Sequence, residues 1–221
     1  MESAQVDNLN DIIDHIRTEL EARSDVRDHA IRRSRQLIRY CANSIRAMHR
    51  GEFDQAREIL ETARQAAVLM VDDIQDYPGL YRAGYTQDAL KELVEACAVY
   101  AMLHRESIPT LDDLGVRVDY PAYLKGLAEA ASEMRRAILD TIRRGDLERG
   151  ETLLEDMQEI YAAMTTIDFP DAVTGGLRRT TDSLRAVLER TRGDLTVTKQ
   201  QEKLRRALVE FEARMQDVTP G

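Results

Sequence analysis

Four glutamates, arranged as two pairs, are the residues of this chain whose type and spacing can do chemistry. Glu92 and Glu95 stand three apart at the head of an apolar run; Glu129 and Glu133 stand four apart further on. On a helical wheel of about 100° per residue, Glu92 falls on the side of Ala96, Val99 and Leu103. Glu95 falls beside Ala98, Val99 and Met102. Both acids therefore continue an apolar side of their helix. Glu129 and Glu133 share a stripe with Arg136 and Asp140, and taken alone that stripe reads as a solvated face. If the two helices pack together, the four carboxylates form one cluster. Divalent-metal catalysis is the chemistry that uses such a cluster, because Mg²⁺ and Mn²⁺ take hard oxygen ligands and relieve the repulsion among them. A bound ion of this kind activates water and stabilises the charge that develops on a phosphodiester. Carboxylate bundles for iron or manganese redox chemistry call for Glu-x-x-His spacing, and His15, His29, His49 and His104 are not so placed.

The element that must position Glu92 and Glu95 is the stretch 90–103. Its last eight residues, from Ala96 onward, are all apolar, so the helix is buried all round. Two acids at the mouth of such a helix need pairing, since an unpaired charge in a low-dielectric interior is costly. Thr86 is the expected N-cap. The helix carrying Glu129 and Glu133 opens at Pro121, a first-turn proline, and stops at Gly145. Gly126 and the alanines around it predict close approach of another helix.

Elsewhere the pattern is also helical, with only 11 glycines and 5 prolines in 221 residues. A long helix is expected over 9–48, with a possible break at Arg23-Ser24-Asp25, and another over 53–71 after a stop at Gly51. A loop over 72–85 turns at Pro78-Gly79 and carries Tyr77, Tyr81 and Tyr85 at spacing four, suited to packing or, for the last, to positioning a substrate. Residues 106–120 have some extended character but are too short for a sheet. Helices over 147–164, 177–188 and 204–215 complete the chain, the last two separated at Thr191-Arg-Gly-Asp194. The expected organisation is an all-α bundle of about seven helices in a single domain over 9–216, with a flexible N-terminus at 1–8 and a tail at 217–221.

The net charge is −9, which excludes an ordinary duplex-DNA binder with a basic domain. The cations are nevertheless 27 arginines against 4 lysines. That bias suits bidentate contact with phosphate and stacking on bases, and equally a chain rich in helix ion pairs. Arg32, Arg35 and Arg39 share one face of the first long helix, with Arg46 seven residues on. Two uses are open to this strip: a lining for nucleic-acid phosphates, or a solvated face paired with Asp25, Asp28 and their neighbours. Cys41 and Cys97 lie in apolar helical stretches and read as reduced core residues. With no leader and no apolar run of membrane-spanning length, the expectation is a soluble cytoplasmic protein.

The segment Leu90-Lys-Glu-Leu-Val-Glu-Ala96 resembles a motif of the translin family, in particular its translin-associated factor X branch, in an archaeal-type form. So does Tyr123-Leu-Lys-Gly-Leu-Ala-Glu-Ala-Ala-Ser-Glu-Met-Arg135, and the resemblance runs in order over residues 31–188. It implies a helical bundle assembled into a hollow homo-octamer around single-stranded RNA or DNA. In that branch it also implies a Mg²⁺- or Mn²⁺-dependent endoribonuclease whose acids match Glu92, Glu95, Glu129 and Glu133. Glu129 stands where the branch usually has aspartate, so its carboxylate reaches one methylene further. The arginines of the first helix, Arg32, Arg35, Arg39 and Arg46, would face the enclosed strand. Two other readings accompany this one: a non-catalytic single-strand-binding shell, and a helical scaffold whose acids are merely solvated.

Overall fold

A computed structural model describes residues 8–218, with side chains as far as Met215. The expected flexible segment 1–8 thus lies outside the described residues except for Asn8. Of the expected tail, only the backbone of residues 217 and 218 is described. Eight α-helices follow in order: α1 (Leu9–Arg50), α2 (Phe53–Asp72), α3 (Pro78–Tyr81), α4 (Gly84–His104), α5 (Tyr120–Arg144), α6 (Leu147–Thr165), α7 (Asp171–Thr174) and α8 (Leu177–Val218). A single 3₁₀ turn, Asp112–Leu114, is the only other regular element among the described residues, so the region 106–120 forms no strand.

The buried run of α4 is the centre of the bundle. From Ala96 to Met102 every side chain but Tyr100 is buried, and α4 packs on α1, α2 and α5. Beyond it, α5 packs on α6 and α8, which also touch each other. The order of the layers follows from composition: a helix apolar all round needs neighbours on several sides, whereas α1 and α5 offer a single apolar stripe each. On α1 that stripe runs through Ala30, Leu37, Cys41, Ile45 and Met48.

Two boundaries expected within helices are absent. Helix α1 passes through Arg23-Ser24-Asp25 without interruption, because a serine between charged residues offers a cap but no helix-breaking geometry. Likewise α8 is continuous through Gly193. A glycine inside a helix costs about 1 kcal/mol, and here the flanking residues are anchored. Thr191 and Leu195 are buried, and Arg135 on α5 pairs with Asp194 at 2.8 Å and donates to Thr191 Oγ1 at 3.2 Å. Thr86 is not the cap of α4. The helix starts at Gly84, and the buried Thr86 hydroxyl donates to the Leu80 carbonyl at 2.8 Å, fastening α3 to α4.

The expected stops at Gly51 and Gly145 are present, both at φ 78°, a left-handed conformation that glycine adopts without a Cβ penalty. Pro121 lies in the first turn of α5 as expected. Asp146 caps α6 by accepting from the Arg149 backbone at 3.0 Å. The tyrosines around α3 serve packing. Tyr81 is buried and its hydroxyl donates to the Arg117 carbonyl and to Asp119 Oδ1, both at 3.2 Å, tying α3 to the entry of α5.

Gly126 marks a close approach of α4 and α5. A Cβ there would lie 2.7 Å from the Lys91 carbonyl oxygen and 2.7 Å from Val94 Cβ. Backbone and a β-branched side chain cannot yield as a flexible tip would. Gly126→Ala is therefore expected to force the helices apart and lower stability by about 1–3 kcal/mol, the usual range for overpacking. Urea denaturation followed by circular dichroism checks this.

Candidate metal centre

The crossing at Gly126 decides what lies next to what. Glu129 is one helical turn further along α5, and Lys91 and Glu92 are on the facing turn of α4, so their side chains converge. Glu92, Glu95 and Glu129 each present a carboxylate oxygen, and these three oxygens lie within 4.8 Å of one another. The extra methylene of Glu129 thus does not keep it from the group. Two helices separated by a connecting loop supply the three oxygens.

Charge balance comes from residues that the spacing of the acids does not reveal. The Lys91 ammonium pairs with Glu92 Oε1 at 3.0 Å and donates to Glu129 Oε2, bridging the two helices. Burial opposes the lysine charge, but hydrogen bonds and charges from Glu129 and Glu92 outweigh it and hold the ammonium above its ordinary range. Lys91 follows no helical-face rule that would mark it. Its only signal is that one of four lysines in an arginine-rich chain immediately precedes Glu92.

Glu133 stands one turn beyond Glu129 and has a different partner. His49, in the last turn of α1, donates from Nε2 to Glu133 Oε1 at 2.7 Å, with only 2% of its side chain exposed. The two residues are 84 apart in the chain, so no local spacing could have paired them. This contact brings the end of α1 to the α4–α5 cluster. Cys41, also on α1, is buried, and its thiol is pushed well up by burial, by Cys97 and by the nearby charges of Glu92 and Glu95.

Glu95 is the most strongly perturbed of the acids. Its pKa is raised to about 8, first by burial and then by the negative charges of Glu92 and Glu129, with Lys91 opposing and Glu133 adding to the shift. Burial and the neighbouring carboxylates thus favour its protonated form when no cation is held. A group containing three oxygen donors and one proton ready to leave suits a hard divalent ion such as Mg²⁺ or Mn²⁺. It does not suit a structural zinc site, which draws on cysteine and histidine.

The arginine strip lies upstream on α1. Arg32, Arg35, Arg39 and Arg46 are all exposed. Arg46 donates to Asn43 Oδ1 at 2.5 Å. Among the described residues the other three make no ion pair with Asp25, Asp28 or any other acid; Arg27 pairs with Asp28, and Arg33 with Asp73. His49 is three residues past Arg46, so the strip leads along α1 towards the acids.

Fold and site together define an all-α bundle protein with an acidic, cation-capable centre at the crossing of two helices. No family model matches the chain. It is 29% identical over 208 residues to an uncharacterised protein of Methanocaldococcus jannaschii, covering 92% of this chain and 88% of that protein. It is similar to the crystal structure of AfC3PO, with 30% identity and a TM-score of 0.79, over 86% of this chain and 97% of that one. The complex of AfC3PO with duplex RNA matches over the same shares at 30% identity and a TM-score of 0.75. Apo-NeC3PO shares the fold, with a TM-score of 0.75 at 22% identity over 84% of this chain and 96% of that one. The chain belongs to the C3PO proteins, the translin/TRAX family.

A pH dependence follows from Glu95. Its pKa is raised on folding, so the folded state holds a proton that the unfolded chain gives up near the ordinary glutamate value of 4.5. The resulting stability is fully present below about that pH and is lost as pH rises through about 8. In chelator, the melting temperature is expected to fall between pH 6 and pH 9. Glu95→Gln, which cannot ionise, is expected to remove most of that fall. Calorimetry of both proteins across this range is the check.

Proposed function

We propose that this chain is a Mg²⁺- or Mn²⁺-dependent endoribonuclease that binds and cleaves single-stranded RNA within a homo-oligomeric shell. The observation that carries the reading is the convergence of Glu92, Glu95 and Glu129 in a family member 30% identical to AfC3PO, a protein solved with duplex RNA. A divalent ion held there supplies an activated water and neutralises charge building on the phosphodiester.

The chain's own residues do the rest. Glu92 and Glu129, more exposed than Lys91 between them, form the mouth of the site. Glu95, part-buried between its acidic neighbours, would be the innermost oxygen donor to a held cation. Glu133, fixed by His49, supplies the fourth carboxylate of the set and restrains it on the α1 side. Arg32, Arg35, Arg39 and Arg46 bind the strand's phosphates and steer it along α1; all four being exposed and free of acid partners among the described residues supports this.

The assembly reading draws on apolar faces that the bundle leaves uncovered. Leu9, Ile12, Ile13, Ile16 and Leu20 on the first half of α1 are all exposed, as are Leu204, Leu208 and Phe211 on the second half of α8. Such stripes on protruding helices favour contact with further copies, and we read the assembly as an octamer. We also take the chain as one domain over 9–216 that acts in the cytoplasm. Among the described residues no helix is long and apolar enough to cross a membrane.

Two experiments test this. End-labelled single-stranded RNA, with duplex RNA and single-stranded DNA beside it, is incubated with the purified protein in Mn²⁺, Mg²⁺ or chelator. Cleavage is expected with the ions, none in chelator, and a loss of at least about 100-fold in Glu95→Gln and Glu129→Gln with binding retained, as for removal of a charge-stabilising group. Cleavage unaffected by either substitution would sink the mechanism, and binding without any cleavage would leave a strand-binding shell. Replacing Arg32, Arg35 and Arg39 by glutamine should weaken binding at low salt and flatten its salt dependence by about 0.7 in log–log slope per lost phosphate contact. An unchanged slope would remove the strip from the binding surface.

A further inference from the structure

Lys91 has a place in the centre that neither the acids nor the strip accounts for. Its ammonium touches one oxygen of Glu92 and one of Glu129, two of the three carboxylates that would hold the ion. Only 15% of its side chain is exposed, against 26% for Glu92 and 38% for Glu129, so it sits between the acids and behind their outer edges.

This bridge is not what holds α4 against α5. The backbone approach at Gly126, where a Cβ would meet the Lys91 carbonyl at 2.7 Å, is made by main chain and by Val94, whatever the lysine tip does. The residue type points the same way. An arginine, the rule in this chain, would clamp both carboxylates with a planar fork, whereas an ammonium on a flexible stem is a mobile point charge. A divalent ion takes the same kind of oxygen, and a unit positive charge in contact with two of its ligands repels it. Lys91 and the ion are therefore rival occupants of one acidic group.

We infer that Lys91 is the resident counter-ion of this centre: it neutralises Glu92 and Glu129 in the metal-free chain, competes with the divalent ion for them, and, once turned out to the mouth, meets a phosphate of the bound strand. The inference rests on the proposed metal centre. It adds that the chain carries its own competitor, which sets how much metal is needed, and that the displaced ammonium faces the substrate.

The test separates metal binding from cleavage. Mn²⁺ is titrated by calorimetry into the full-length wild type, Lys91→Gln and Lys91→Arg, with no RNA present and helicity checked by circular dichroism. Single-turnover cleavage of single-stranded RNA is then measured at saturating Mn²⁺. Lys91→Gln is expected to bind Mn²⁺ about tenfold or more tighter, as fits the loss of a nearby positive charge, yet to cleave at least about tenfold more slowly. Lys91→Arg, which keeps the charge, is expected to bind Mn²⁺ no tighter than wild type, and it carries the test if the glutamine variant does not fold. Mn²⁺ binding that is unchanged or weaker in Lys91→Gln overturns the inference, as does tighter binding with undiminished cleavage or tighter binding in Lys91→Arg. A wild type that binds no Mn²⁺ overturns the metal centre itself and this inference with it. A wild type that binds and cleaves leaves the centre standing whatever the Lys91 variants do.

Discussion

The close approach of α4 and α5 at Gly126 is the constraint on which the rest depends. A missing Cβ lets one backbone rest against the carbonyl of Lys91 and the side chain of Val94. Helices this close bring the side chains of the next turn into contact, and here those side chains are acids. Carboxylates repel, and alone they would drive the crossing open. Burial of the apolar run of α4 against three helices holds it closed, because separating them would expose a helix that is apolar on every side. Hydrophobic packing thus supplies the force, and the acids are compressed by it.

That compression has to be relieved, and the structure does so by three different means. Lys91 places an ammonium between Glu92 and Glu129. Glu95 is held towards its protonated form, its pKa raised to about 8 by burial and by its acidic neighbours. Glu133 is turned to a buried histidine from another helix. The three answers differ in kind: a mobile charge between two acids, a proton held by a part-buried one, and a fixed hydrogen bond at the side. A centre balanced in this way is held together without an ion and still offers oxygen donors to one.

Helix α1 joins the two halves of the functional reading. Its buried stripe packs on α4, its last turn delivers His49 to Glu133, and its exposed face carries the arginines. One continuous helix sets both the position of the strip and one edge of the acidic group. A break at Arg23-Ser24-Asp25 would separate these roles from the exposed first half, which instead continues the same helix. Helix α8 repeats the pattern at the other end of the chain, anchored through Thr191 and Leu195 and then running free of the core.

The all-helical class, the stops at Gly51 and Gly145, the entry at Pro121 and the burial of most of 96–102 were legible in the sequence, because each depends on local backbone chemistry or on a run of apolar residues. The kinship of the two glutamate motifs was legible too, and three of the four acids it singled out, Glu92, Glu95 and Glu129, bring their carboxylate oxygens together. The continuity of α1 and α8 was not. A serine or a glycine is a weak breaker, and whether a helix continues through it is decided by anchors such as Arg135 to Asp194 that lie far away in sequence. Nor could Thr86 be read, since its choice between capping α4 and bonding Leu80 depends on where α3 sits. Above all, the roles of Lys91 and His49 were decided only by the tertiary structure. Sequence alone determines which residues share a helix face, because that is fixed by a 3.6-residue period. It does not determine which faces meet, because that depends on how closely two helices can pack and on what the rest of the bundle buries.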